Sequence, residues 1–355
     1  MTTDEKYIKR CIELAKNGLG TTYPNPLVGS VIVYGGKIIG EGWHRKAGEP
    51  HAEVYAVNSV KDKSLLSKAT IYVSLEPCSH FGKTPPCCDL IIAHKIPNVV
   101  IGTIDPFAKV AGNGIKKLIE AGRNVKVGIL EDECNELNKR FFTFHQKKRP
   151  YIILKWAETT DGFIAPDEIS RQIQNQNENI KKPVWITNPY SRQLVHKWRS
   201  QEQAILVGTQ TVLDDNPKLD VRNWSGENPI RIVLDRTGKI SKDYSVKDEK
   251  TKTIIITESQ NFKNSENIFY ENCTFDNSLA STISDVLFRH EIQSVIVEGG
   301  RQTLQTFIDA NLWDEALVFK GNVDFKKGIS APYLTGNLIK KQTVLDDELL
   351  ILRNV

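Results

Sequence analysis

The feature that most constrains this chain is a set of possible metal ligands in two short segments. Residues 51–53 read HAE, and residues 76–88 read EPCSHFGKTPPCC. A catalytic zinc site uses three protein ligands, often histidine and cysteine, and keeps its fourth position for water. His51 offers one ligand, and Cys78 and Cys87, which each follow a proline, offer two more. HAE opens a helical pattern, and the cysteine cluster follows a β-rich run that predicts a buried strand.

Glu53 lies two residues after His51, at the start of the helix predicted by HAEVYAVNSV. There its carboxylate can face the open metal position without being a ligand. Zinc lowers the pKa of a bound water to about 7, and a neighbouring carboxylate can pass the water proton to a ring nitrogen and then to a leaving amine. This is the arrangement of zinc nucleobase deaminases, although their Cys-x-x-Cys spacing is much shorter.

The residues alone leave other interpretations open. A lone His-x-Glu is common at protein surfaces, and Cys87 and Cys88 can be ordinary buried thiols. A structural zinc site with four ligands would take Cys88 or His80 as its fourth. The combination of HAE, a strand and two Pro-Cys pairs favours a catalytic zinc, but it does not decide between Cys87 and Cys88.

Length and composition set the broad class of the protein. The 355 residues suggest two domains, and 47 Lys plus Arg against 43 Asp plus Glu leave a net charge of only +4. With no basic-aromatic stripe, we expect no nucleic-acid partner. The sequence has no signal peptide or long apolar run, and its six cysteines do not suggest a disulfide framework. We therefore expect a cytoplasmic protein with no membrane partner.

Strands and helices alternate along both halves of the chain. Runs such as VGSVIVY, ATIYVSL and NVVIGT predict strands in the first half, separated by helical patterns, which indicates an α/β sandwich. Pro150 then breaks the chain, and YIILKWA opens a second α/β block. We place the domain boundary between residues 147 and 148. The polar stretch 167–183 predicts a surface loop or a disordered insert.

The first half resembles a known family. The segments TYPNPLVGSVIV, GEGWHRKAGEPHAE, TIYVSLEPCSHFGKTPPC and DPF are similar to the deaminase half of the bifunctional riboflavin-biosynthesis pyrimidine deaminase/reductase. The resemblance implies a cytidine-deaminase-like three-layer α/β/α domain, with His51, Cys78 and Cys87 as zinc ligands. It implies Glu53 as the proton shuttle. The implied substrate contacts in this half are Asn25, His44, His80, Lys83 and Asp105.

The second half has no Gly-x-Gly-x-x-Gly after its first strand. It resembles the reductase half of the same family, a dihydrofolate-reductase-like α/β domain that uses NADPH. Its Glu-Gly-Gly at a helix start is a weak signal alone, although such a pair lets backbone N–H groups approach a phosphate. The implied cofactor contacts are Ala157, Trp185, Thr211, Asp215, Gly300, Arg301, Gln302, Thr303, Leu304, Gln305 and Thr306. The implied substrate contacts are Arg199, Leu219, Arg222 and Glu298, whose arginines suit a phosphate.

Two positions depart from the family pattern. Phe107 stands where the family commonly has asparagine, and Pro183 stands where it has serine, so each loses a polar contact. The function implied by the resemblance is hydrolytic deamination of 2,5-diamino-6-(ribosylamino)pyrimidin-4-one 5′-phosphate. NADPH-dependent reduction of the ribosyl group to a ribityl chain then follows.

Two other functions are compatible with the residues. One is a zinc deaminase of a nucleoside or a tRNA base, whose second domain only binds or scaffolds. The other is a binding module with a structural zinc, against which Glu53 counts because a structural site needs no proton shuttle. We expect the riboflavin-biosynthesis enzyme, with zinc and NADPH as cofactors, a phosphorylated pyrimidine as substrate, and a homo-oligomeric state, dimer or tetramer.

Overall fold

The chain folds into two compact units, Met1–Lys148 and Arg149–Val355. The computed structural model describes residues 1–81, 85–106, 112–167 and 184–354. Within these ranges, no helix combines the length and the apolar character that a membrane span requires. Apart from Asp167, the polar stretch 167–183 lies outside the described residues.

The first unit is built around one five-stranded sheet. Its strands are β1 (Gly29–Tyr34), β2 (Lys37–Trp43), β3 (Thr70–Leu75), β4 (Asn98–Thr103) and β5 (Asn124–Val127). Its helices are α1 (Thr3–Ala15), α2 (Ala52–Ser59), α3 (Cys87–Ala93), α4 (Asn113–Glu120), α5 (Glu131–Leu137) and α6 (Lys139–Lys147). The strand order is β2-β1-β3-β4-β5, with β1 antiparallel to both of its neighbours and β3, β4 and β5 parallel.

Gly35 and Gly36 separate two β-rich runs of the sequence, a pattern that predicts a hairpin, and the hairpin of β1 and β2 turns at these two residues. Both glycines have positive φ angles, 57° and 74°. Two such residues make the turn whose twist matches the twist of the strands, and glycine adopts it without steric cost.

Helices cover both faces of this sheet, so the predicted three-layer α/β/α sandwich is confirmed. Successive residues of β3 point to opposite faces. Ile71 and Val73 are buried in a core with α2, α3 and α4, whereas Tyr72 is buried in a second core with α1 and α5. Burial of each such side chain contributes about 1.5–3 kcal/mol to folding.

Two glycines of β2 place α2 beside the sheet. A Cβ atom at Gly40 or Gly42 would lie 2.5 Å from backbone atoms of Ala56 in α2. The helix can therefore lie directly against the strand. This close packing fixes the start of α2, which carries His51 and Glu53, at the edge of the sheet where β3 ends.

The second unit contains a nine-stranded sheet and a small two-stranded one. Its strands are β6 (Tyr151–Glu158), β7 (Phe163–Pro166), β8 (Ala204–Gly208), β9 (Ile230–Leu234), β10 (Thr253–Thr257), β11 (Ile268–Asn272), β12 (Ser294–Val297), β13 (Glu315–Lys320), β14 (Gly328–Ser330), β15 (Asn337–Val344) and β16 (Asp347–Arg353). Its described helices are α7 (Pro189–Arg199), α8 (Thr209–Asp215), α9 (Leu279–Arg289) and α10 (Arg301–Asp309).

The large sheet has the order β11-β10-β9-β8-β12-β6-β13-β16-β15. All neighbours from β11 to β13 are parallel, and β16 and β15 add an antiparallel edge. Helices α9 and α10 share a core on one face, and α7 and α8 lie in cores on the other. Because β8, β12 and β6 are parallel neighbours, their carboxyl ends meet at one edge, where ligands of open α/β sheets bind.

Candidate active sites

The three predicted zinc ligands converge in the first unit. His51 is the residue before α2, Cys78 lies in the loop after β3, and Cys87 is the first residue of α3. The Nδ1 atom of His51 is 3.5 Å from the Cys78 Sγ and 3.3 Å from the Cys87 Sγ. Tetrahedral zinc, with Zn–N of about 2.0 Å and Zn–S of about 2.3 Å, separates such donors by about 3.6 Å. The donor set therefore fits zinc.

No fourth His, Cys, Asp or Glu ligand joins this cluster in the part of the chain that the structure describes. The Cys88 sulfur lies instead 3.3 Å from the Pro77 carbonyl oxygen and 3.5 Å from that of Gly114. Burial raises the pKa of Cys88 to about 12, so it is a neutral thiol of the core. His80 is exposed. The geometry thus groups Cys87, rather than Cys88, with His51 and Cys78. Among the described residues, this donor set has three members, so the fourth coordination position of a zinc ion would be open to water.

The surroundings of the Cys78 sulfur favour its thiolate form. The sulfur lies in hydrogen-bond contact with the Cys87 side chain and beside His51, and these contacts, which outweigh burial, lower the pKa of Cys78 to about 4. The backbone N–H of Cys87 also donates to this sulfur, at 3.3 Å. A thiolate is the form of cysteine that binds metals.

Glu53 is buried in the first turn of α2, next to the three donors. Burial raises the pKa of Glu53, against the opposing effect of His51. A carboxyl group with a raised pKa can hold a proton and release it near neutral pH, which is what a proton shuttle requires.

His44 and Asn25 form a pair beside His51. The Nδ1 of His44 lies 3.1 Å from the Pro50 carbonyl oxygen, so this nitrogen carries the proton and donates it. The Nε2 of His44 then accepts a hydrogen bond from the Asn25 amide, at 3.0 Å. Burial lowers the pKa of His44, which favours the neutral ring. The rings of His44 and His51 meet edge-on, with centroids 5.5 Å apart.

The structure describes only some of the other residues predicted for this site. Asp105 is buried in the loop that follows β4. Lys83 and Phe107 lie outside the described residues. Sequence reasoning missed Asn138, whose buried amide binds the N–H and C=O of Leu27, at 2.8 and 2.9 Å, two residues after Asn25. No local signal could have identified Asn138, because its partner is 111 residues away.

The second unit holds a buried charge network around Glu298, which follows β12. Arg199 donates to both carboxylate oxygens, from Nε at 3.0 Å and from Nη2 at 2.8 Å. The Nζ of Lys155 lies 3.7 Å from the same carboxylate. Burial alone would raise the pKa of Glu298, but the charges of Arg199 and Lys155 outweigh it and hold this pKa at about 2. Arg199 was expected to bind the substrate phosphate, but its guanidinium group is already paired with the Glu298 carboxylate.

Lys155 is a site residue that the sequence analysis missed. It lies in β6 between apolar neighbours and is largely buried, and burial lowers its pKa. The signal was present in YIILKWA, because lysine is rarely buried unless it is paired.

The loop of residues 219–222 connects the two predicted substrate arginines. The Asp220 carbonyl oxygen accepts hydrogen bonds from His196 Nδ1 at 2.9 Å and from Arg199 Nη1 at 3.4 Å. The Asp220 carboxylate binds Arg222 Nη1 at 2.7 Å. The side chain of Leu219 is buried in the core, and its φ of 55° is strained for a leucine, so it can offer a ligand only its backbone.

The start of α10 packs closely against the ends of the neighbouring strands. The N–H of Gly300 donates to the Thr211 hydroxyl at 3.1 Å. A Cβ atom at Gly299 would lie 2.6 Å from the Thr303 Cβ, and one at Gly208 would lie 2.6 Å from the Thr303 hydroxyl oxygen. Gly208 and Gly299 are therefore needed for the packing of strand ends against the helix, and the first N–H groups of α10 lie at the sheet edge, where a phosphate can bind.

The remaining predicted cofactor residues differ in exposure. Ala157 is half-buried near the end of β6, and Asp215 is half-buried at the end of α8. Trp185 is 53% exposed and stacks with the guanidinium of Arg192, whose centre is 4.6 Å from its ring. Leu304 is buried in the core, so its side chain packs α10 against that core.

Comparison with known proteins matches both halves. The cytidine and deoxycytidylate deaminase zinc-binding region matches residues 1–103, and the RibD C-terminal domain matches residues 150–325. The riboflavin biosynthesis protein RibD of Aquifex aeolicus is 40% identical over 332 residues, which cover 92% of this chain and 89% of that protein. The Escherichia coli RibD is 42% identical over 252 residues, 67% of this chain and 65% of that protein.

Solved structures match over the full length. A crystal structure from Thermotoga maritima, of a diaminohydroxyphosphoribosylaminopyrimidine deaminase/5-amino-6-(5-phosphoribosylamino)uracil reductase, is 38% identical, covers 99% of both chains and has a TM-score of 0.88. A structure of Acinetobacter baumannii RibD is 30% identical, also covers 99% of both chains and has a TM-score of 0.86. The predicted deaminase-like and reductase domains are thereby confirmed, and the chain belongs to the RibD family of bifunctional riboflavin-biosynthesis proteins.

Proposed function

We propose that this chain catalyses two successive steps of riboflavin synthesis. In residues 1–147, a zinc site removes an amino group by hydrolysis from 2,5-diamino-6-(ribosylamino)pyrimidin-4-one 5′-phosphate. In residues 148–355, a second site reduces the ribosyl group to a ribityl chain with NADPH. The convergence of one imidazole and two thiols beside a buried carboxylate carries the proposal. Membership of the RibD family supports both steps.

The proton transfers of the first step belong to Glu53. Held by His51, Cys78 and Cys87, zinc would supply a water with its pKa lowered to about 7. Glu53 accepts one proton from the attacking water and delivers it to the ring nitrogen, and it then carries the proton of the newly formed hydroxyl group to the departing amine, so that ammonia leaves and a carbonyl group remains. Because burial raises the pKa of Glu53, the carboxyl group can both accept and release the proton.

The substrate of the first step is oriented by groups on three loops. Asn25 gives an amide N–H to His44, so its carbonyl oxygen is the atom that accepts a hydrogen bond from the pyrimidine. Asp105 accepts hydrogen bonds from the ribose. His80 and Lys83 bind the polar periphery of the substrate, and the mobile charge of a lysine suits the 5′-phosphate.

In the second site, we assign different roles to the two arginines. Arg199 positions Glu298, whereas Arg222, 44% exposed, binds the substrate phosphate. Lys155 donates hydrogen bonds to the ribosyl oxygens next to Glu298, and Leu219 offers only its backbone. NADPH supplies the electrons and the hydrogen of the reduction. Its contacts are Ala157, Trp185, Thr211, Asp215 and the start of α10, residues 300–306.

The first step is tested by Glu53→Gln. This change keeps the shape of the side chain and removes its ability to take a proton. We expect full zinc content, a loss of deamination by about 10²–10⁴-fold, and unchanged reduction of the deaminated compound. Zinc analysis and the two separate assays measure this. Turnover retained in the variant would remove Glu53 from the mechanism.

The second step is tested by NADPH titration. Because Trp185 is exposed and lies among the assigned cofactor contacts, NADPH should quench part of the tryptophan fluorescence of the full chain. Trp185→Phe serves as the control and should lose that part of the signal. A flat titration of the unaltered chain would favour a second domain that only scaffolds a deaminase.

We also propose a homo-oligomer, a dimer or tetramer, in the cytoplasm. The exposed edge strand β15 supports self-association, because unpaired strand edges are templates for pairing. Leu338 and Ile339 on this strand are both exposed. Light scattering after size exclusion measures the state, and a monomer at micromolar concentration would contradict it.

A further inference from the structure

The carboxylate of Glu76 is buried directly after β3 and collects four backbone N–H groups. Its Oε1 accepts hydrogen bonds from Gly114 at 2.9 Å and Ile115 at 3.3 Å. Its Oε2 accepts from Gly112 at 2.9 Å and Asp105 at 3.3 Å. Both oxygens are therefore used as acceptors, and each serves two donors.

Three of these donors belong to the start of α4, which has no cap of its own. Gly112 occupies the N-cap position with a φ of 76°, and it has no side chain to accept from the first helical N–H groups. Glu76, which lies 36 to 39 residues upstream, accepts these hydrogen bonds and so caps the helix. A negative charge at a helix N-terminus also interacts favourably with the helix dipole.

The burial of Glu76 makes this arrangement specific. An ionised carboxylate away from water is costly unless hydrogen bonds replace its hydration. Among the described residues, no lysine or arginine forms a salt bridge with Glu76, and the four backbone N–H groups take the place of its hydration. A glutamine would turn an NH₂ group toward two N–H donors and leave them without an acceptor.

Glu76 also links two parts of the first site. It precedes Cys78 by two residues, and its own N–H continues the pairing of β3 with β4 by donating to Thr103, at 3.0 Å. Its side chain holds Asp105, two residues after Thr103. The helix start lies against the same segment, because a Cβ atom at Gly114 would be 2.1 Å from the Pro77 carbonyl oxygen.

We infer that Glu76 is a positioning residue that sets the distance between the zinc ligands and Asp105. It contacts neither the metal donors nor, by this inference, the substrate. It acts by joining the loop after β3 to the loop after β4 through one side chain. This inference rests on the proposed deaminase function, in which Asp105 binds the ribose.

Glu76→Gln tests the inference in the full chain. We expect one zinc per chain and unchanged reduction of the deaminated compound. The KM of deamination should rise at least about tenfold, because the Asp105 N–H loses its acceptor and Asp105 is no longer held in place, while kcat changes by less than about threefold. An unchanged KM would overturn the inference. Loss of zinc would also overturn it, because Glu76 would then hold the metal loop alone.

Glu120→Gln is the matched control. Glu120 ends the same helix, its side chain is 65% exposed, and it pairs with Lys116 one turn away. It should leave zinc content and both activities unchanged. If Glu76→Gln does not fold, Glu76→Asp keeps the charge on a shorter side chain and should raise KM by a smaller factor; an unchanged KM there would equally overturn the inference.

A double variant separates this inference from the proposed function. If Glu76 acts through Asp105, then Glu76→Gln combined with Asp105→Asn should have a KM no higher than Asp105→Asn alone. Additive effects would mean that Glu76 acts elsewhere, and the inference fails. A failure of the proposed function has a different signature, since the unaltered chain would then lack deamination while amide exchange at Gly112, Gly114 and Ile115 still accelerates in Glu76→Gln.

Discussion

The site at the end of β3 brings together donors that suit a metal, whereas the site at the end of β12 pairs largely buried charges with one another. In the first, two thiols and an imidazole lie within 4.8 Å, and the pKa of Cys78 is lowered to about 4. In the second, the Glu298 carboxylate is balanced by Arg199 and Lys155. The first site should therefore depend on a metal, and the second on the integrity of its ion pairs.

The two sites also differ in how the chain builds them. The metal donors come from two segments that lie within 37 residues, each with a recognisable motif. The charge network takes Lys155 from β6, His196 and Arg199 from α7, Asp220 from a loop and Glu298 from the end of β12. No two of these segments share a motif that predicts their contact.

The largest effect expected from this comparison separates two adjacent cysteines. Cys87→Ser should lose stoichiometric zinc and reduce deamination by more than about 10³-fold, because without the metal the pKa of the attacking water rises from about 7 back to its high value in bulk water. Cys88→Ser should keep both, since its hydroxyl can donate to the same carbonyl groups as the thiol. Zinc analysis and the deaminase assay decide; loss of zinc from the Cys88 variant would mean that the donor set is misassigned.

The next effect concerns the buried charges. Glu298→Gln leaves Arg199 and Lys155 without a counter-charge and should lower the free energy of unfolding of the second unit by about 3–5 kcal/mol. Glu348→Gln, which opens a partly exposed pair with Lys341, should leave unfolding unchanged. Urea unfolding followed by tryptophan fluorescence measures both. Equal stabilities would show that the buried network contributes nothing and would remove the contrast between the sites.

A smaller effect distinguishes the two arginines of the second site. Arg222→Ala should raise the reductase KM for substrate about tenfold, the effect of one charge-assisted hydrogen bond, and leave stability unchanged. Arg199→Ala should instead destabilise the unit, because the Glu298 carboxylate would lose two hydrogen bonds and keep Lys155 as its remaining counter-charge. Steady-state kinetics with Arg236→Ala as the surface control test this. A stable Arg199 variant with only a raised KM would restore the direct phosphate role of that arginine.

The smallest effect is a pH dependence. Burial, together with Arg199 and Arg222, lowers the pKa of His196 below its usual 6.5. The unfolded chain therefore binds a proton before the folded chain does, so stability falls as the pH drops below 6.5 toward the folded pKa. His196→Asn, whose amide N–H can still donate to Asp220, should make unfolding less dependent on pH in this range. Identical pH profiles for the variant and the unaltered chain would assign the titration to another group.

Local signals predicted much of the fold. The hairpin at Gly35 and Gly36, the helix after His51 and the alternation of strands and helices in both units followed from turn residues and apolar periodicity. The antiparallel pair β15 and β16 did not, because β15 is mostly exposed and lacks the apolar alternation that identifies strands. Its partner strand stabilises it, and that partner is a tertiary neighbour.

The same division runs through the sites. By itself, the sequence determined the donor types, the family and the presence of Glu53, because zinc chemistry requires particular side chains at short spacing. The resemblance implied Cys87 as the third donor, and the tertiary structure brings its sulfur, rather than that of Cys88, beside His51 and Cys78. Only the tertiary structure decided that Arg199 is bound to Glu298 and that Glu76 caps a helix. These outcomes depend on which buried groups find partners far along the chain, and hydrogen bonds and charges are satisfied by proximity in space rather than in sequence.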